Sequence, residues 1–543
     1  MSNDNKKNGF IIQAGILAAA GILCRIIGLL YRSPLLRIIG DEGNGYYSTA
    51  YNIYSIVLLI SSYSIPSAVA KVIAGRLAAR EYRNAHRIFK CAMAYVLVIG
   101  GIASLFLFFG AGLIVTSNSI PVLRVLAPTI FLYGILGVLR GYFQAHGTML
   151  QTSISQIVEQ ILNAAVSIGA AVLLIHMVID ADDTTRAIYG AAGSAIGTGV
   201  GVATAILIMA AMYLLNRKTI QKRVKRDRTR YVMSYREIFM LIMSVVTPFI
   251  LSTFVYNLNT SLDQTLYLKL MSNVRDMTQK ELATNYGILA KTVVVANIPI
   301  ALSSAMSSAI MPGISACLVK GERRAMNEKV GSAIRTTMFI SIPAAVGIGV
   351  LARPVMWFLF PQASSIDLAS NLLRCLAVTV IFYALSTLTM AVLQGANKLK
   401  VPVVNAAIAL VLQTIILIPL ILYTNLDLYA LVIANIAYSF IVCLLNGVSV
   451  KQVLGYRQEV DKTFFRPLVS AAVMGAAAYG VYTGMHLLTK SSLLALMFAI
   501  IVGVPVYLVL TIKWKAVGEE ELRAIPKGYL LVKIAKKVHL MKS

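Results

Sequence analysis

The sequence predicts an all-α polytopic membrane protein with 14 transmembrane helices, arranged as two pseudo-symmetric six-helix lobes plus a C-terminal helix pair. Three observations predict it. Of the 543 residues 58% are hydrophobic and only 13% charged, with a mean hydropathy of +0.77, far too apolar for a soluble domain. The basic residues recur in alternate connections between apolar stretches. Part of the first half is repeated, in register, in the second.

Apolar stretches of membrane length lie near 10–31, 46–66, 91–115, 124–143, 154–178, 188–215, 237–266, 285–313, 335–352, 368–393, 403–423, 428–448, 467–488 and 492–512. The first holds Arg25 well inside it. A charge at mid-membrane costs roughly 2.5 to 3.5 kcal/mol, so it faces a bundle interior or wet cavity more often than lipid. Gly21, Arg25, Gly28 and Arg32 fall at i, i+4, i+7 and i+11, on one small, cationic helix face. For Arg32, near the helix end, snorkelling to the interface is the alternative.

Connections on one side of this alternating scheme hold 36 of the 49 Lys and Arg. The positive-inside rule therefore predicts cytoplasmic termini and cytoplasmic even-to-odd connections, and so accounts for most of the +27 net charge without nucleic acid. The opposite side carries Asp180, Asp182 and Asp183. The longest basic connection, Asn216 to Arg236 with KRVKRDRTR, reads as a solvated linker beside anionic headgroups. The expected domains are an N-lobe over 1–220, a basic linker over 221–235, a C-lobe over 236–450, and the last two spans with a basic tail over 451–543.

Laying 124–144 on 374–394 gives six identities in 21 positions: Arg124/Arg374, Leu126/Leu376, Ala127/Ala377, Thr129/Thr379, Tyr133/Tyr383 and Gln144/Gln394. The turns at Arg80-Glu81-Tyr82-Arg83 and Gly321-Glu322-Arg323-Arg324 echo each other. Six spans per repeat make the repeats parallel, and transporters so built hold substrate between halves that rock in alternating access.

There is no phosphate-binding G-x-x-x-x-G-K-[ST] loop and no nucleophile elbow, and the five histidines, His86, His146, His176, His486 and His539, are scattered. No enzymatic activity, metal or cofactor is expected. The five cysteines, all in or beside apolar spans, read as free thiols packed as small hydrophobes, and the N-terminal span as retained, since it exceeds a signal-peptide core. What remains is polar groups within the spans: Arg25, Arg32, Arg140, Glu159, Asn257, Asn259, Asp263, Gln264 and Lys291. Their cations outnumber their anions four to two, so a cavity lined by them favours an anion such as a pyrophosphate. Two alternatives stand beside that reading: Arg140 and Glu159 paired as a structural clamp, and Asp263 neutralising Lys291.

At Cys24-Arg25-Ile26-Ile27-Gly28, at LRGYFQAHGTMLQTSISQIVEQI (139–161) and at Ile39-Gly40-Asp41-Glu42-Gly43-Asn44-Gly45-Tyr46-Tyr47, the sequence resembles the polysaccharide-transport branch of the multidrug/oligosaccharidyl-lipid/polysaccharide exporter superfamily, of the stage V sporulation protein B and lipid II flippase type. The resemblance implies two six-helix lobes around a V-shaped cationic cavity for a substrate headgroup, with the last two helices forming a groove for a polyprenyl tail. It places Arg25 at the family's buried first-helix arginine and Lys291 near a cationic position of the eighth helix. The chain departs from the Gram-negative pattern in two places. Tyr31 stands where a second arginine is expected, with Arg32 one residue later, and Tyr46 stands where an aspartate is expected.

The expected function is a flippase for an undecaprenyl-pyrophosphate-linked oligosaccharide, foremost lipid II, whose partners are that lipid and the membrane; a coupling ion is left open. Arg25, Arg32, Lys291, Asp263, Gln264, Arg140 and Glu159 are the expected substrate-binding residues. A drug/cation antiporter of the multidrug and toxin extrusion type is the runner-up. A membrane glycosyltransferase or polymerase lacks the clustered carboxylates it would need.

Overall fold

The computed structural model describes residues 3–63, 65–227, 229, 231–524 and 528–537, so Arg228 and Arg230 of the basic stretch and His539 lie outside the described residues. Every regular element among the described residues is helical. In order they are α1 (Asn3–Leu30), α2 (Arg32–Leu58), a π-helical turn (Leu59–Tyr63), α3 (Ile65–Ala78), α4 (Tyr82–Ile114), α5 (Ile120–Ala145), α6 (Met149–Met177), α7 (Asp183–Lys225), α8 (Tyr235–Arg275) and α9 (Gln279–Lys320). There follow α10 (Arg323–Val350), α11 (Ala352–Leu359), α12 (Ile366–Gly395), α13 (Lys400–Tyr423), α14 (Leu428–Leu454), α15 (Arg466–Thr489), α16 (Ser492–Lys513), α17 (Glu519–Ala524) and α18 (Gly528–Lys537). Among the described residues, 12 helical segments are long and apolar enough to cross a membrane.

Several boundaries differ from the expected ones. The second expected span, 46–66, lies inside a helical run from Arg32 to Ala78, and the only non-helical backbone within α2 is at Gly40, whose φ of 70° a glycine adopts freely. The residues between the first two expected spans, 32–45, are therefore mostly helix. The basic stretch is likewise shorter as a linker than expected, because α7 continues to Lys225. Its start is fixed by Asp182, whose carboxylate accepts from the backbone N–H and hydroxyl of Thr185, and α8 starts on a reciprocal box between Ser234 and Glu237. Of the cysteines only Cys317 is buried, and Cys375 is exposed rather than packed inside.

Two compact units result: residues 1–268 with 275–287, and residues 269–274 with 288–543. The boundary between these compact units falls at the α8–α9 hairpin, because α8 is tied to α2: Asn52 donates to Gln264, and Gln264 to the Thr49 carbonyl. The core of the first unit depends on glycines that let backbones meet. On α7, a Cβ at Gly193 would lie 2.6 Å from the Ala170 carbonyl oxygen, at Gly197 2.5 Å from that of Asn163, and at Gly201 2.7 Å from that of Glu159, so this i, i+4, i+8 stripe seats α7 on α6. Ser167 crosses the same seam to the Ser194 carbonyl at 2.7 Å. At the α2–α9 crossing a Cβ on Gly45 would lie 1.8 Å from the Ala283 oxygen and one on Gly287 1.9 Å from that of Asp41, and Asn44 donates to the Gly287 carbonyl at 2.7 Å.

In the second unit α10 packs on α12 and α15, and α15 pairs with α16. Tyr507 of α16 anchors the pair by donating to the Phe339 carbonyl at 2.9 Å. Arg335 of α10 binds Glu459 and the buried Glu521 of α17, which ties the C-terminal segment to this unit.

The sequence repeat recurs in backbone detail. Thr129 bonds the Leu126 carbonyl and Thr379 the Leu376 carbonyl, each at 2.6 Å. Left-handed residues stand at Arg80 and Gly321 and again at Gly147 and Asn397. Each pair closes its turn with matching hydrogen bonds, such as Glu81 N–H to Arg76 beside Glu322 N–H to Cys317, and Thr148 N–H to Phe143 beside Lys398 N–H to Leu393.

The α6–α7 seam yields a stability test. Gly197→Ala pushes a methyl into the Asn163 carbonyl, and overpacking of this kind costs roughly 1 to 3 kcal/mol, so the melting temperature in detergent falls. Gly169→Ala, where a Cβ meets nothing within 4 Å, leaves it unchanged or raised. An unchanged melting temperature for Gly197→Ala contradicts the seam.

Candidate functional site

The expected site residues distribute over three places, of which two share a helix neighbourhood in the first unit. Around α6, α1 lies against Gln160 through Gly28, whose Cβ would come 3.2 Å from the amide nitrogen. This turns Cys24 toward Arg140 and Glu159, which both act on it electrostatically. Arg25, next in sequence, is exposed. Arg32 is half-buried; it is hydrogen-bonded to the Tyr31 side chain and lies beside Tyr47 and Tyr51, whose rings stack at 5.6 Å.

Arg140 and Glu159 form the clamp that the sequence left as an alternative. Nη2 of Arg140 donates to Oε2 of Glu159 at 2.7 Å, and Nε donates to Ser155 Oγ at 3.0 Å. Oε1 of Glu159 accepts from the Tyr133 hydroxyl at 2.8 Å, so both carboxylate oxygens are engaged. The side chains are 10% and 13% exposed, little enough for the pair to matter to stability. The 15- and 19-residue spacings behind these bonds follow from the helix–turn–helix of α5 and α6, reversed at the left-handed Gly147.

The second place lies at mid-α2. Asn52 donates to Gln264 Oε1 at 2.5 Å and to the Tyr286 hydroxyl at 2.8 Å, and Ser261 donates to the Asn52 carbonyl at 3.4 Å. Asp263 and Gln264 are buried, and Asp263 is close enough to Tyr286 to act on its hydroxyl. Lys291 occupies the third place, in the second unit, where it is 1% exposed. Its ammonium donates to Gln362 Oε1 at 2.5 Å and Ser365 Oγ at 2.8 Å, both in the segment that leads into α12.

Sequence reading missed Asn52, Tyr286, Tyr133 and Ser155, which hold the expected residues in place. The spacing of Tyr47, Tyr51 and Tyr54 at i, i+4 and i+7 was a usable signal for a polar-edged aromatic face on α2. Of the two expected asparagines of α8, Asn259 is buried and Asn257 exposed. Among the described residues no group of three or more His, Cys, Asp or Glu is placed to hold a metal ion. Arg25 and Arg32 bring guanidinium groups to the first place, whereas the amide donors of Asn52 and Gln264 are bonded within the protein.

The model of the lipid II flippase MurJ family matches residues 85–499. The chain belongs to this family. It is 26% identical over 481 residues to the lipid II flippase MurJ of Bacillus subtilis (strain 168), covering 85% of this chain and 86% of that protein. It is also 22% identical over 537 residues to stage V sporulation protein B of the same strain, covering 96% and 98%. In fold it resembles the solved lipid II flippase MurJ in an inward closed conformation, with a TM-score of 0.65 at 17% identity over 91% of this chain and 97% of that one. The resemblance read from the first-helix and RGYFQ…SQIVEQ motifs thus holds. The MurJ match takes in Arg140, Glu159, Asp263, Gln264 and Lys291, while Arg25 and Arg32 precede it.

The clamp generates a test. Arg140→Met leaves Glu159 buried without its cation, and Glu159→Met does the reverse; each single change costs about 3 to 5 kcal/mol and lowers the melting temperature. Arg140→Met with Glu159→Met removes both charges and recovers much of the loss. Singles as stable as the unmodified chain contradict a load on this pair.

Proposed function

We propose that the chain is a flippase that carries a lipid-linked, undecaprenyl-pyrophosphate oligosaccharide, foremost the peptidoglycan precursor lipid II, from the inner to the outer leaflet by alternating access. The observation that carries this reading is an exposed arginine, Arg25, within an apolar helix of a chain of the lipid II flippase family. An intramembrane charge kept accessible is the group an anionic headgroup meets. The relatives named for lipid II and for sporulation support a substrate of this class.

In this reading the membrane is the bacterial cell membrane, and the 12 apolar segments are joined by α1 and α8 to make fourteen spans. Both termini are cytoplasmic. The repeated turns support lobes over 1–220 and 236–450, with α15 and α16 as the added pair. Arg25 and Arg32 meet the pyrophosphate, and Arg140 with Glu159 holds α5 and α6 in register behind it; Asp263 and Gln264 of the first unit, and Lys291 of the second, contact the substrate only on release of their present partners. The step is transport without covalent change. A pyrophosphate carries about two negative charges, and each is worth roughly 2.3 kcal/mol per 100 mV, so outward movement with the inside negative gains about 4 to 5 kcal/mol. The antiporter reading has weaker support: the family match is to the flippases, and the intramembrane cations outnumber the carboxylates.

The test is binding of a lipid-linked pyrophosphate sugar and melting temperature in one detergent. Arg25 is exposed, so Arg25→Ala opens no cavity; it keeps the melting temperature and loses binding. Arg25→Lys keeps the charge without the two-pronged fork that matches phosphate oxygens and binds at an intermediate level. A strongly lowered melting temperature with normal binding contradicts the assignment.

A further inference from the structure

The first unit holds a second polar recess that the transport reading does not use. A cavity of about 260 Å³ opens where four helix ends converge: the start of α4, the end of α5, the start of α6 and the last turns of α7. Its lining includes His86, His146, Thr148, Gln151 and Arg223, with Tyr142 as an aromatic wall. At somewhat under the roughly 300 Å³ at which small-molecule sites begin, it suits a compact ionic group and not a glycan.

Its chemistry has one sign. Among the described residues that line the cavity, Arg223 is the charged one and none is a carboxylate. The start of α6, at Thr148 and Gln151, adds the positive end of a 29-residue helix dipole. His146 Nδ1 lies 2.9 Å from the Tyr142 carbonyl, to which it can only donate, so Nε2 is the nitrogen that gains a proton. Buried polar atoms also lack partners here: His86 Nδ1 and Gln151 Oε1 have no hydrogen bond. Turned over, the Gln151 amide presents two donors instead. A buried polar atom without a partner is destabilising, and a ligand that completes the set offsets that cost.

We propose that this cavity is an anion site for a phosphate or diphosphate group, separate from Arg25, in which Arg223, the two histidines and the first turn of α6 bind the oxygens. Tyr82 and Lys90 from α4, Tyr142 from α5 and Arg223 from α7 are the titratable groups around the two rings. Burial, with Arg223 adding to it, holds the His146 imidazolium below its ordinary pKa despite the hydrogen bond to the Tyr142 carbonyl. A bound anion reverses that penalty. Binding therefore takes up protons and tightens as pH falls toward 6.

The experiment uses the full chain in detergent, carrying Arg25→Ala so that the proposed transport site does not contribute. Calorimetry with inorganic pyrophosphate gives the affinity, and sulfate, whose charge is constant from pH 6 to 8, gives the pH profile. Arg223→Ala weakens pyrophosphate binding about tenfold or more. His146→Gln flattens the sulfate profile, while Lys218→Ala, an exposed residue of the same helix outside the cavity, binds as before. Displacement of pyrophosphate by dihexanoyl phosphatidylglycerol, but not by the phosphatidylcholine analogue, makes an anionic lipid headgroup the source; failure of both lipids to compete makes it a soluble phosphate. No pyrophosphate binding, binding unchanged by Arg223→Ala, or an equal loss in Lys218→Ala overturns the proposal.

Discussion

Burying ionised side chains in an apolar helical bundle is the constraint on which the rest of this structure depends. Arg140 and Glu159 meet it together, and the pair works only because several other features hold it. Tyr133 and Ser155 take the remaining hydrogen bonds. Gly201 lets α7 approach the backbone of Glu159 itself, so the glycine stripe on α7 fixes the helix that carries the carboxylate. Gly28 brings α1 onto the next residue of the same helix, Gln160, and thereby sets the rotation of the helix that bears Arg25. The accessible arginine and the buried one are thus two results of the same packing.

Much of the fold was legible in the sequence because bilayer physics writes it in coarse units. Apolar length, basic connections and a repeat are each visible over 20 or more residues, and among the described residues 12 helical segments are long and apolar enough to be such spans. The helix pair expected at 467–488 and 492–512 stands at Arg466–Thr489 and Ser492–Lys513. Helix ends were less legible. A basic, polar run reads as loop on hydropathy, yet Arg217 to Lys225 extend α7 because nothing in that run breaks a helix.

The polar neighbourhoods were half legible. An intramembrane charge announces itself, so Arg25, Arg140, Glu159, Asp263 and Lys291 were visible. Their partners were not, because Asn52, Ser155 and Tyr286 are ordinary residues whose role arises only from helix crossings. Asn52 and Gln264 are 212 positions apart. Lys291 shows the limit from the other side: its charge suggested an open cavity, whereas Gln362 and Ser365 enclose it. The Gly43, Gly45 and Tyr47 motif reads as family pattern in the sequence; its physical content is the close crossing of α2 with α9 at Gly45.

Family membership, the repeated turns and the cationic excess converge on an anionic lipid-linked cargo, and the sign of the charge separates that cargo from an organic cation. The most direct measurement is translocation of fluorescent lipid II in proteoliposomes containing the purified chain, scored by access of an impermeant quencher to the far leaflet, with a labelled organic cation run in parallel. The account predicts protein-dependent movement of lipid II and none of the cation. Movement of the cation with lipid II left in place would contradict it.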